Sequence, residues 1–126
     1  MAKGLFAFIL LLLSVSLGLC QGITVAFRHP YLWNFQEDSA LNKLREVLNQ
    51  EKITEVRYRA NYRIYIMPSE KRIAAKPSYK IKVEKGNITV TAPNDMGLIN
   101  GVLDIAIQLK KTHSLARIKS KTYSPT

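Results

Sequence analysis

Between residues 23 and 111 the apolar positions switch between a period of two and a period near 3.6, and each switch marks an element. Ile23, Val25 and Phe27 alternate with Thr24, Ala26 and Arg28, which predicts a first strand stopped by His29-Pro30. Tyr31, Trp33 and Phe35 follow at alternate positions. They read either as the closure of one end of the core or as a platform for stacking sugars. Leu41, Leu44, Val47 and Leu48 then share one helical face against Asn42, Lys43, Arg45, Glu46 and Asn49. This predicts an amphipathic helix capped by Asp38 or Ser39 and running to Gln50.

From Ile53 to Met67 the period returns to two. Val56, Tyr58, Ala60, Tyr62, Ile64 and Ile66 take one face, and Glu55, Arg57, Arg59, Asn61, Arg63 and Tyr65 the other. The run is long for one strand, so a bend or break is expected near Ala60-Asn61. Tyr79, Ile81 and Val83 alternate with Lys80, Lys82 and Glu84. After the turn residues Lys85-Gly86-Asn87, Ile88, Val90 and Ala92 alternate with Thr89 and Thr91. The pair is a β-hairpin. Pro93 stops it, and Asn94 or Asp95 caps a helix over Met96–Lys111 that ends on two lysines, favourable for the helix dipole. Gly97 and Gly101 lie one turn apart in that helix, at a cost of about 1 kcal/mol each against alanine. A smooth stripe that lets the helix backbone lie close on a sheet accounts for them.

The order of elements predicts an α+β fold: a mainly antiparallel or mixed sheet with two helices packed on one face. The second helix is apolar nearly all round, with Leu98, Ile99, Val102, Leu103, Ile105, Ala106, Ile107 and Leu109. A small sheet covers one side, so Leu98, Ile105 and Leu109 are expected to need a second layer from outside the chain or from another copy of it. The stretch from His113 to Thr126 has little periodicity, and residues 112–126 read as an extended linker beyond a domain of residues 21–111.

Residues 1–20 read as a signal peptide, with Lys3 ahead of an apolar run from Leu5 to Leu13 and small residues before Gln21. The run is short for a membrane span. A secreted or periplasmic protein starting at Gln21 is therefore expected, and a lipoprotein anchored through Cys20 is the rival. Cys20 is the only cysteine, so the processed protein has neither disulfide nor thiol nucleophile.

The net charge of +10 favours anionic partners in general without choosing among them. Arg57, Arg59 and Arg63 fall at strand spacing on one predicted face. Together with Tyr31 and Trp33 they are candidate contacts for an acidic glycan, or else the solvated side of a sheet. Catalytic constellations are missing. Neither His29 nor His113 has a carboxylate or a second histidine at metal-ligand spacing, and the acids fall on exposed faces or at a helix start. Asp104 alone stands among apolar helix residues, and one acid is not an acid/base pair. No catalytic residue, metal site or cofactor is identified.

The segment YKIKVEKGNITVTAPNDMGLINGVLDIAIQL, residues 79–109, resembles the end of the non-catalytic N-terminal domain of secreted glycoside hydrolases, the xylan-acting α-glucuronidases and the β-hexosaminidases. In both, a hairpin strand leads into a segment similar to Asp95-Met96-Gly97-Leu98-Ile99-Asn100-Gly101. The resemblance implies that Gly97, Gly101, Leu98 and Ile105 take part in packing the helix on its sheet and against a catalytic (β/α) barrel. It also implies that the active carboxylates lie on that barrel and that the polysaccharide is the substrate. Nucleic acid is not an expected partner. The alternatives are a stand-alone secreted module for acidic glycans and a small secreted interaction protein.

Overall fold

The computed structural model describes residues 22–29, 35–69 and 76–124. In chain order the elements are β1 (Thr24–Arg28), α1 (Phe35–Gln50), β2 (Thr54–Glu55) and β3 (Tyr62–Pro68). They continue with β4 (Tyr79–Glu84), β5 (Asn87–Ala92), α2 (Asp95–Thr112), a 3-10 turn (Leu115–Arg117) and β6 (Lys121–Tyr123). One six-stranded sheet runs β2-β1-β3-β5-β4-β6. Its first four strands are mutually parallel, and β4 is antiparallel to both β5 and β6. The fold is α+β with a mixed sheet and two helices.

The hairpin follows from two residues. Lys85 and Gly86 both have positive φ, 46° and 82°, the requirement of a two-residue turn whose twist matches the strands. Glu84 therefore pairs with Asn87 and the alternation continues in register to Lys80 opposite Thr91. Ile81, Ile88, Val90 and Ala92 turn inward and are buried. The next element is started by Asn94, whose Oδ1 accepts from the Gly97 N–H at 2.8 Å. It is stopped by His113, which takes the left-handed conformation (φ 62°) and returns its N–H to the Leu109 carbonyl.

Four differences from the sequence reading have physical causes. Helix α1 begins at Phe35, a turn before the expected cap. Asp and Ser suit a first helical turn as well as an N-cap, so residue type alone does not fix the start. The run from Ile53 to Met67 does break, into β2 and β3. Residues 56–61 between them carry the chain across β1, with Arg59 in the left-handed region (φ 56°). Alternation within 56–61 is thus not a strand pattern, and Tyr58 is not on the core face.

The third difference concerns α2. Leu98, Ile105 and Leu109 are buried inside the domain, in the single core that the sheet and the two adjacent helices share. The expected need for outside cover does not hold for these three residues. Fourth, residues 112–123 are not an extended linker. Leu115 and Ile118 sink into the core, the Ser120 hydroxyl accepts from the Val83 N–H at 2.9 Å, and β6 adds to the sheet beside β4. Burying two aliphatic side chains, each contributing about 1.5–3 kcal/mol, is what draws this polar segment onto the domain.

Candidate functional site

Glycines set how closely the helix layer meets the sheet. A Cβ on Gly97 would lie 2.1 Å from the Ser78 carbonyl oxygen, and one on Gly101 would lie 2.4 Å from Val90 Cγ1. No side chain fits there, so α2 rests directly on the hairpin. Leu98 and Ile105 belong to the same internal layer. That orientation fixes which residues of α2 point away. Met96 is 52% exposed and Ile107 66%, and Ile99 and Leu103 between them are half-buried. Spaced three, four and four residues apart, they form one outward stripe along the helix. Ile99 and Leu103 also line a groove of about 550 Å³ between the helices, whose other wall is Ser39, Ala40, Asn42, Lys43 and Glu46 of α1. The domain thus presents an apolar strip edged by polar residues.

The acid singled out in the sequence, Asp104, has a structural role. It is buried, and accepts from the Tyr79 hydroxyl, from Lys121 Nζ at 2.8 Å and from Gln108 Nε2 at 3.0 Å. Burial by itself raises its pKa. The hydrogen bonds from Lys121, Tyr79 and Gln108, with the Lys121 charge, outweigh that and hold the carboxyl below the usual range. Burial and the same carboxylate push the Tyr79 phenol up. Tyr79 also stacks on Tyr123, ring centroids 5.2 Å apart. Gln108 Oε1 accepts from the Lys119 N–H at 2.9 Å. The cluster joins α2 and β4 to β6, and its tyrosine, lysine and glutamine donors are all engaged with the one carboxylate. It clamps the last strand.

Arginines do not form the predicted row. Arg63 lies on the side of β3 that faces away from the helices, whereas Arg57 and Arg59 belong to the 56–61 crossing. Tyr31 and Trp33 lie outside the described residues. The crossing is tied to β1 by Arg28, which donates from Nη1 to the Phe27 carbonyl at 2.9 Å and from Nη2 to the Arg57 carbonyl at 2.7 Å. Nearby, Arg45 of α1 forms a two-pronged pair with Glu55 at 2.9 and 3.1 Å, and its guanidinium lies 5.4 Å from the centre of the Phe27 ring. These groups line a groove of about 730 Å³, together with His29, Val56 and Tyr58. Sequence reasoning passed over Arg28 and Tyr58 as site residues. The available signal was the clash between a strand pattern and a run too long for one strand. Among the described residues no three His, Cys, Asp or Glu side chains are grouped to hold a metal ion.

No family model matches the chain. No curated protein matches it either. Among solved structures it is similar to a GH138 enzyme targeting pectin rhamnogalacturonan II, with a TM-score of 0.69 at 17% identity. The match covers 81% of this chain and 15% of that one. At that identity the likeness establishes a shared fold: this chain has the architecture of a small part of a glycoside hydrolase.

Proposed function

We propose that the chain is a non-catalytic accessory domain of an exported carbohydrate-processing enzyme, seated on a catalytic barrel by the outer stripe of α2. The observation that carries this is the fold shared with a 15% portion of a glycoside hydrolase. Two others support it: the stripe Met96-Ile99-Leu103-Ile107 has apolar surface to bury, and Asp104 is consumed by structural bonds. Within this reading, the resemblance of residues 79–109 to α-glucuronidases favours xylan as the polysaccharide. The pectin target named for the structural neighbour makes pectin the competing substrate. Export follows from residues 1–20, with processing before Gln21, so the intact mass of material recovered outside the cytoplasm should correspond to that start. A lipid retained on Cys20 would contradict it.

The activity test is a comparison. The chain alone should turn over neither an aryl α-glucuronide, an aryl hexosaminide nor rhamnogalacturonan II fragments. Expressed together with a glycoside hydrolase catalytic barrel, it should support hydrolysis of one of these classes. Turnover by the chain alone would remove the accessory reading.

A further inference from the structure

A wide concavity on the described surface arises because β2 stops early. It pairs only with Thr24 and Val25, so the edge of β1 is uncovered from Ala26 onward, and the chain swings away through Val56, Arg57 and Tyr58 before crossing to β3. The notch left behind is the 730 Å³ groove, large enough to hold one or two sugar rings. Its permanent charges are three arginines and one glutamate. Glu55 is matched by Arg45, so Arg28 and Arg57 remain without a carboxylate among the described residues. Arg28 is nevertheless held in place. Its two hydrogen bonds go to neutral carbonyls, which orient the guanidinium without cancelling its charge and leave three of its N–H donors unspent. Tyr58 is 79% exposed beside them, an aromatic ring that contributes nothing to the core. The groove lies at the carboxyl end of the parallel strand β1, on the edge that β2 leaves open.

We propose that this groove binds a carboxylate-bearing sugar chain, a uronate oligosaccharide, with Arg28 and Arg57 on the carboxylate and Tyr58 against a sugar ring. The guanidinium fork matches a carboxylate's two oxygens, and an exposed tyrosine offers a flat apolar face to a pyranose. That the carboxylate is carried by a sugar rests on the carbohydrate reading above. That it is a carboxylate rests on the groove itself. The site lies on residues separate from the α2 stripe, so failure here and failure of barrel docking are read on different variants.

The test is calorimetric titration of the full chain with short oligogalacturonates and with the same oligomers fully methyl-esterified, which lack the negative charge. Binding of the acid form is expected, with little heat from the ester. Arg57→Gln and Tyr58→Ala should each weaken it about ten- to a hundredfold, while Arg63→Gln on the sheet face changes it less than about twofold. Both groove residues are exposed, so the variants should melt like the parent, and that is checked first. Equal binding of ester and acid would overturn the proposal. So would an equal loss with Arg63→Gln, or single-stranded DNA or polyglutamate binding as tightly as the oligogalacturonate. No binding of the acid form would overturn it outright.

Discussion

Gly97 is the residue whose replacement has the most predictable result. Alanine there regains about 1 kcal/mol of helix propensity. Its Cβ, however, would sit 2.1 Å from a backbone carbonyl that has no flexible end to move aside. The overpacking cost, on the order of 3 kcal/mol, wins. Gly97→Ala should therefore lower the urea midpoint, and a neutral or raised midpoint would mean α2 stands further from the hairpin. Asp104 supplies the pH signature. Its native pKa is depressed, so the unfolded state binds more protons as the pH falls. Its contribution is then fully present above the unfolded value of about 4 and lost as the pH drops through the native one. Asp104→Asn should cost stability at neutral pH, and the gap from the parent should close on acidification below about pH 4. A gap independent of pH would contradict a carboxyl held below its usual range in the folded state. The importance of Gly97 was readable in the sequence, because glycines one turn apart in a helix need a reason. The role of Asp104 was not, because its partner Lys121 lies on a strand that no periodicity announces.

At the scale of elements, the hairpin and the two helices were legible because each has an unbroken period, with the hairpin closed by Pro93 and the second helix opened by Asn94. The last strand was illegible for the opposite reason. Leu115 and Ile118 are isolated apolar residues in a polar run. Only the 3-10 turn, which places residues three apart on one side, brings both into the core. The prediction that belongs here is that the tail is part of the folding unit. Leu115→Ala should cost about 2–5 kcal/mol, as for any fully buried leucine, measured by denaturant unfolding. An effect below about 0.5 kcal/mol, the usual range for exposed positions, would return residues 112–126 to the status of a connector. The groove beside β1 was equally hidden, since it depends on where β2 ends and not on any residue pattern.

Taken whole, the molecule is a sheet with one face closed by its own helices and with an apolar strip left on the outside of α2. The need for cover is smaller than the sequence implied, since Leu98, Ile105 and Leu109 are already buried within the domain, but Met96 and Ile107 still meet water and Ile99 and Leu103 remain half-exposed. The central claim is that this strip is the seat of a catalytic domain. The direct measurement is the affinity, by calorimetry in trans, between this domain and a glycoside hydrolase catalytic barrel, for the parent and for Ile107→Glu. The account predicts a complex for the parent and its loss in Ile107→Glu, with the unfolding midpoint of the variant unchanged. A complex of equal affinity in Ile107→Glu, or no complex with the parent, would contradict it.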